Sequence, residues 1–360
     1  MGYENDKIEI MNKFLAEIYE QPAALQRTLD FYSTTEGERL LKIVKDVVGE
    51  NSFEQIIFVG MGSSFFTSNA AMVLFNQLQI PSFATNASEL LHYNYALLEK
   101  RTLLICYSQS GESFEITELL KRCTPTVYCV GITNEPDSTL ANNAKVVLLT
   151  KAGKEEMTST KTYVSTLLVS YILGMYLAGT WNDEKKNKIG KLIDNFSATV
   201  NFCKTWVDDA LSFFGELPAL QIIARGAVYA TAQQSALMFK EAVKVAASGN
   251  LGGEFRHGPM EMVKEGFKSI MFIPRGKTFA QNIKMAEDIA GFGGKVLLIA
   301  NEKINFSSPN IMQVYINEQD EYLFAIQSII PVQIFIDSYA KQRGFEAGSF
   351  SRGAKVTVTE

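Results

Sequence analysis

Short apolar runs alternate with longer segments of helical periodicity along most of this 360-residue chain. Gln55 to Gly60, Thr102 to Tyr107 and Val127 to Ile132 have the length and composition of buried strands. Strands that alternate with helices in this way predict parallel sheets covered by helices on both faces, an α/β fold. The helical patterns in this part of the chain cover Ile8 to Tyr19, Glu38 to Val48, Phe65 to Leu78, Phe114 to Arg122 and Ser159 to Leu177.

The same rhythm occurs a second time. Gly226 lies 164 residues after Gly62, and Gly276 lies 165 residues after Gly111, each glycine following an apolar run. Elements in register at a fixed spacing indicate an internal duplication, so we predict two tandem doubly wound parallel sheets. The repeated strands are Leu220 to Ala224, Ser269 to Ile273 and Val296 to Ala300, with helices over Val228 to Ala246, Phe279 to Ile289 and Glu321 to Arg343.

A polar and charged helical stretch, Trp181 to Glu216, separates the two repeats. We therefore place N-terminal helices and the first unit in residues 1–215, the second unit in 216–345 and a C-terminal tail in 346–360.

The turn Ser108–Ser113 leads from an apolar strand directly into a helical pattern. Backbone N–H groups at a helix N-terminus are unpaired and carry partial positive charge, so serines placed there can hold a phosphate. An N-cap made by Ser110 or Ser113 is the structural alternative. The matching turn of the second repeat, Pro274 to Thr278, has no serine.

The glycine turns fit nucleotides poorly. Gly60-x-Gly62 has Phe65 at the third glycine of the dinucleotide fingerprint, and no acidic residue follows about 20 residues later. Gly276-Lys277-Thr278 is only the end of a Walker A loop. We therefore expect no nucleotide cofactor.

Glu241 and His257 are the candidates for proton transfer. Glu241 stands on a largely apolar helix, where a carboxylate costs free energy unless it is paired or functional. A salt bridge to Lys244 would pair it. His257 lies in a glycine-flanked polar segment and titrates near neutrality, although a surface loop position explains it equally well. We expect the second histidine, His92, to pack among its apolar neighbours.

The composition and charge of the chain indicate which classes of partner it can bind. The hydrophobic content of 47% predicts a globular core, and the net charge of −5 with interspersed signs argues against nucleic acid. Cys106, Cys123, Cys129 and Cys203 form no Cys-x-x-Cys pair and indicate reduced thiols rather than a metal site. With no signal sequence and no long apolar run, we expect a cytoplasmic protein without a membrane contact.

Five motifs lie in order along nearly the whole chain: Gly62–Ser64, Ser108–Ser113, Ser159–Lys161, Gly253–Pro259 and Ala354–Val358. Together they resemble the sugar-isomerase (SIS) domains of the glucosamine-6-phosphate synthase superfamily. The resemblance implies a phosphosugar ligand and a homodimer in which the histidine loop reaches the partner's site. It implies that Glu241 moves a proton between C1 and C2, that His257 opens the ring and that Lys355 forms an imine with the ketose. The residues it implies in substrate and phosphate binding are Gly62, Ser63, Ser64, Ser108, Gln109, Ser110, Ser113 and Ser159.

The chain departs from that family in several places. Met238 and Gln234 replace a lysine and a glutamate that precede the family's helical glutamate. The tail lacks the usual Pro-Arg-Asn-Leu, and the loop at Lys154 to Met157 is about one residue shorter. We also expect that no glutaminase domain precedes the first unit. We therefore expect a stand-alone enzyme acting at C1 and C2 of a sugar phosphate, foremost a fructosamine-6-phosphate deglycase or an amino-sugar-phosphate deaminase. A ketose-phosphate isomerase and a non-catalytic phosphosugar sensor are the alternatives. The sequence does not identify the sugar.

Overall fold

The computed structural model describes residues 12–349 and Lys355, and it contains two five-stranded parallel sheets. The strands of the first sheet are β1 (Gln55–Gly60), β2 (Phe83–Asn86), β3 (Thr102–Tyr107), β4 (Val127–Thr133) and β5 (Val146–Leu149). Those of the second are β6 (Ala219–Ala224), β7 (Ala246–Leu251), β8 (Lys268–Ile273), β9 (Lys295–Ala300) and β10 (Ile311–Tyr315).

The two sheets have the same strand order. The first is arranged β2-β1-β3-β4-β5 and the second β7-β6-β8-β9-β10, so each unit places its own strands in the order 2-1-3-4-5. All eight strand pairs are parallel. The predicted α/β class and the predicted duplication are thereby confirmed.

Helices cover both faces of each sheet and join the two units. The first unit and its N-terminal helices contain α1 (Lys13–Tyr19), α2 (Gln21–Tyr32), α3 (Thr35–Glu50), α4 (Ser63–Gln77), α5 (Ala87–His92), α6 (Phe114–Arg122), α7 (Thr139–Asn143) and α8 (Lys161–Leu177). The rest of the chain contains α9 (Asp183–Phe214), α10 (Tyr229–Val243), α11 (Gly252–Arg256), α12 (Phe279–Gly291), α13 (Glu321–Gln327) and α14 (Ile330–Gln342).

One hydrophobic core runs through both units. Helix α8 is buried over nearly its whole length, which explains why its sequence is apolar on every face. Helices α4 and α10 occupy equivalent places in the two repeats and pack against each other. Asn69 Nδ2 of α4 donates to Gln233 Oε1 of α10 at 3.4 Å, and these residues are themselves 164 positions apart. This pair therefore lies near the pseudo-twofold axis that relates the repeats.

Several predicted elements differ from the structure. The helix expected over Val228 to Ala246 ends at Val243, because Lys244 has a left-handed backbone (φ +57°), and Ala246 begins an unpredicted strand. The C-terminal helical pattern is two helices, α13 and α14. Helix α2 and the strands β2, β5, β7 and β10 were not predicted. The first helix begins at Lys13, and the earlier part of its predicted span lies outside the described residues.

The segment Glu321–Gln342 is long and apolar enough to cross a membrane by length and composition alone. However, 94% of its most apolar 18-residue window is buried inside the fold. Its apolar side chains therefore pack against protein.

Candidate active site

A cavity of about 290 Å³ opens at the carboxyl ends of β1 and β3. The strand order reverses between these two strands, and ligands of open α/β sheets bind at such a switch point. The cavity is lined by Met61, Gly62, Ser63, Ser64, Gln109, Ser110, Ser113, Glu115, Thr158, Ser159, Leu237, Glu241 and Lys355.

Two helix N-termini meet at one end of the cavity. Helix α4 begins at Ser63 after Gly62, whose φ of +51° lets the chain turn sharply out of β1. Helix α6 begins at Phe114, and the Ser113 hydroxyl before it makes no capping bond to that helix. The Ser110 hydroxyl accepts from Glu112 N at 3.2 Å, within the turn. Neither serine caps α6 through its side chain, so the serines of this turn are not explained as helix caps.

Ser108 supports the turn from below. It is 2% exposed, its hydroxyl lies 3.0 Å from the Ser113 hydroxyl, and it accepts from Gly111 N at 3.1 Å. It does not line the cavity, unlike the other residues named for phosphate binding. Its geometry suits orienting the Ser113 hydroxyl.

Glu241 projects from α10 of the second unit into the cavity of the first. Its carboxylate accepts a hydrogen bond from the Thr158 hydroxyl. Burial raises the pKa of Glu241, while the Thr158 bond and the positive charges of Lys355, Lys244 and Lys240 act in the opposite direction. Lys244 donates to the backbone carbonyl of Glu241, and within residues 12–349 and Lys355 the carboxylate has no ion-pair partner at salt-bridge distance. The alternative of a Glu241–Lys244 salt bridge was therefore wrong.

Lys355 reaches the same cavity from the C-terminal tail. Its Nζ donates to Glu155 Oε2 at 2.6 Å and to the carbonyl of Met157. These contacts place an amine near the Glu241 carboxylate, on the side of the cavity formed by residues 157–159.

The two histidines are both exposed. His257 follows the short helix α11, and the cavity of its own chain does not include it. The segment expected to be a loop is therefore partly helical. The expectation that His92 packs among apolar residues was wrong, because it lies at the exposed end of α5.

The two replaced family positions lie on α10 in the core. Met238 and Gln234 are both 0% exposed. Gln234 Nε2 donates to the carbonyl of Ser159 at 3.0 Å, and its Oε1 has no partner among the described residues. The apolar Met238 leaves no ammonium at this point of the helix.

Sequence reasoning missed Met61, Glu115, Thr158 and Leu237 as lining residues. Thr158 adjoins the recognised Ser159, so extending that motif by one residue would have found it. Leu237 lies one helical turn before Glu241, which places both on the same face of α10. Nothing in the local pattern distinguishes Glu115 from a charged residue in the first turn of any helix.

The fold and this cavity define a doubly wound α/β protein with a serine-lined crevice at the switch point of its first sheet. The family model of the SIS domain matches residues 52–176 and 218–338, and the chain belongs to the SIS domain family. It is 28% identical over 354 residues to a glutamine–fructose-6-phosphate aminotransferase (isomerizing) of Methanothermobacter thermautotrophicus, covering 96% of this chain and 57% of that protein. The chain thus spans little more than half the length of this relative.

Solved structures have the same fold. The C-terminal domain of a glucosamine-fructose-6-phosphate aminotransferase from Francisella tularensis superposes with a TM-score of 0.84 at 23% identity, covering 95% of this chain and 98% of that one. A glucosamine-6-phosphate deaminase from Thermotoga maritima superposes with a TM-score of 0.73 at 21% identity, covering 96% and 100%.

Proposed function

We propose that this chain is a cytoplasmic phosphosugar enzyme that acts at C1 and C2 of a ketose or amino-sugar 6-phosphate. The observation that carries the proposal is the content of one cavity: helix N-termini and serine hydroxyls at one end, with a half-buried carboxylate and a lysine amine in the same space. The similarity to proteins named aminotransferase and deaminase of sugar phosphates supports this reaction class.

The substrate phosphate binds at the starts of α4 and α6. The N–H groups in the first turn of α6 attract an anion, whereas those of Ser64 and Phe65 in α4 already bond to the Met61 carbonyl. The hydroxyls of Ser64, Ser110 and Ser113 add hydrogen bonds. Gln109 and Ser63 complete this end of the cavity. Held there, the sugar extends toward Glu241 and Lys355.

Glu241 transfers the proton between the two reacting carbons. A base for this step works best with a pKa near the working pH, and burial moves the pKa of Glu241 in that direction. The Thr158 hydroxyl holds one carboxylate oxygen in place.

Lys355 adds to the carbonyl carbon of the open-chain sugar. The amine and the carbonyl form an imine with loss of water, and the imine draws electrons from the neighbouring C–H bond. His257 opens the sugar ring from the partner subunit in a homodimer, which accounts for its exposed place outside the cavity of its own chain.

Deglycase or deaminase activity is favoured over synthase-type isomerisation. Met238 and Gln234 remove the charged pair that the synthase places on this helix. The same replacement favours a second candidate, a phosphosugar sensor that binds without turnover.

Incubation of the chain with fructosamine 6-phosphates and amino-sugar 6-phosphates tests the proposal. We expect turnover of at least one substrate, measured by release of the amine or ammonia. Tight binding without turnover of any of them would overturn the enzyme proposal and favour the sensor.

Mixed subunits test the shared site. Glu241→Gln and His257→Ala chains are each expected to be inactive, but refolding an equal mixture should restore about a quarter of wild-type activity, since half of the dimers then carry one intact site. No recovery in a mixture shown to contain hybrid dimers would contradict the histidine's role in the partner's site.

A further inference from the structure

Glu155 is a buried carboxylate at the start of α8. Its side chain is 0% exposed. Oε1 accepts from Thr160 N at 2.8 Å, from the Thr160 hydroxyl at 3.0 Å and from Thr162 N at 3.2 Å. The Thr162 hydroxyl donates to Oε2. The carboxylate thus accepts from the N-cap residue Thr160 and from one N–H in the first turn of a 17-residue helix, whose dipole favours negative charge there.

The same carboxylate holds Lys355. Oε2 lies 2.6 Å from Lys355 Nζ, and the lysine side chain is 20% exposed. The lysine's second partner, the Met157 carbonyl, belongs to the segment that Glu155 folds against α8. Glu155 therefore connects one fixed helix end to the amine of a tail that is distant in sequence.

We propose that Glu155 is a positioning residue for Lys355. This inference rests on the proposed function, because it assigns the group that fixes the imine-forming amine. The ion pair holds Nζ at the wall of the cavity. Transfer of one ammonium proton to Glu155 Oε2 leaves a neutral amine where the sugar carbonyl is bound, so no diffusing base is needed.

A rival explanation is that Glu155 serves only as a structural cap of α8 and has no role toward Lys355. The variant Thr160→Val separates the two. It removes a hydroxyl bond to Oε1 and leaves Oε2, the oxygen that meets Lys355, untouched. Glu156→Gln is a second control, since this neighbouring carboxylate pairs with Lys13 and Lys154.

Reductive trapping with fructose 6-phosphate and sodium borohydride gives the first measurement. The imine carbon accepts hydride and the product is a stable secondary amine on Lys355, counted by mass spectrometry. We expect Glu155→Gln to trap about 100-fold more slowly than wild type, the usual effect of a misplaced reacting group. Thr160→Val and Glu156→Gln should stay within about threefold of wild type, and Lys355→Ala should trap nothing.

Acetylation by a free N-hydroxysuccinimide ester gives the second measurement. Removing the partner carboxylate releases the amine, so Lys355 of Glu155→Gln should acetylate faster than in wild type while its trapping by bound sugar becomes slower. If Glu155 were only a helix cap, its replacement would not make acetylation faster and trapping slower at the same time. Unchanged rates in Glu155→Gln, or equal changes in Thr160→Val, would overturn the proposal.

Two further results keep the test decisive. If wild type traps no sugar phosphate, the imine of the proposed function fails, and the acetylation rates still decide whether Glu155 controls the amine. If Glu155→Gln does not fold, Glu155→Asp retains the charge but shortens the reach. It should then show the same opposed changes to a smaller extent, and wild-type rates in that folded variant would contradict the proposal.

Discussion

The switch points of the two sheets have the same topology and different contents. In the first unit, the crevice between β1 and β3 is an open cavity lined by serines. In the second, the crevice between β6 and β8 contains the carboxylate of Glu321. A β-carbon at Gly226 would collide with its Oε1, and one at Gly276 would lie 3.3 Å from its Oε2. One repeat has an open cavity lined by serines, and the other fills the equivalent place with its own side chain.

The environment of Glu321 in the second crevice mostly disfavours its charged form. Burial raises the pKa of Glu321, and the neighbouring Asp320 adds to the effect, while the positive charge of Lys277 opposes it. In the turn of the second unit, Ile273, Arg275 and Thr278 stand at the positions of the three serines, and Lys277 stands at the position of Glu112. A duplicated fold thus keeps its geometry while only one copy keeps the groups that suit a ligand.

The second unit nevertheless contributes to the first. Helix α10 supplies Leu237 and Glu241 to the cavity, since it packs against α4 across the pseudo-twofold axis. The first unit thus contributes the serine turn to the cavity, and the second unit contributes the Glu241 carboxylate.

Exchanging the two half-buried carboxylates, Glu241 and Glu321, for amides should have the most different effects on the two units. For Glu241→Gln we expect a loss of about 1,000-fold in kcat with sugar-phosphate affinity nearly unchanged, because a proton-transfer group is lost and the phosphate contacts remain. Glu321→Gln is the matched control and should keep kcat within about twofold. Turnover and calorimetric binding measure both. Equal losses in the two variants would contradict the division of roles.

Replacing the equivalent glycines of the two turns should lower the stability of the protein by different amounts. Gly111 has φ +66°, and a β-carbon there would overlap the side chain of Ser138. Gly276 has no positive φ, and a β-carbon there would come within 4 Å only of the carboxylate end of the Glu321 side chain. We expect Gly111→Ala to lower the free energy of unfolding by about 3 kcal/mol or more and Gly276→Ala by about 1 kcal/mol or less. Urea unfolding measures both, and a larger loss for Gly276→Ala would refute the explanation.

Removing the hydroxyls at equivalent positions of the two turns should affect sugar-phosphate binding only in the first unit. Ser113 and Thr278 are 165 residues apart, each directly before the helix of its turn. Ser113→Ala should weaken sugar-phosphate binding roughly 10-fold, since it deletes one hydrogen bond to a charged group. Thr278→Ala should leave binding unchanged. Titration calorimetry gives both constants, and comparable weakening in the two variants would count against a single phosphate site.

The smallest expected effect is a shift in pH dependence. The Thr158 hydroxyl stabilises the ionised form of Glu241, so Thr158→Val should raise the pKa of that carboxyl further. Because the base must be ionised to act, the acidic limb of kcat/KM should move to higher pH. Thr166→Val, which removes a hydroxyl bonded to the Thr162 carbonyl, is the control. A limb that moves to lower pH would contradict the role of Glu241 as the base.

Residues of the recognised motifs could be placed near one another from the sequence, because each motif is a local pattern. Gln109, Ser110 and Ser113 line the cavity, as do Glu241 and Lys355, and β3 and α6 begin and end where the pattern placed them. The strands β2, β5 and β10 escaped prediction because they have only four or five residues. Strand β7 escaped because its sequence, Ala-Ala-Ser-Gly-Asn-Leu, has no continuous apolar run. Glu155 escaped for a related reason, because its role depends on a contact with Lys355, 200 residues away.

Strand length, helix starts and turn composition are local properties. The repeat, the sheet class and the residue types that can hold a phosphate could therefore be predicted from the sequence. Only the tertiary structure decided that α10 delivers Glu241 to the other unit's crevice and that Glu321 fills the second crevice. It also decided that Glu155 holds the tail lysine. These are contacts between residues distant in sequence, and packing across a shared core selects them.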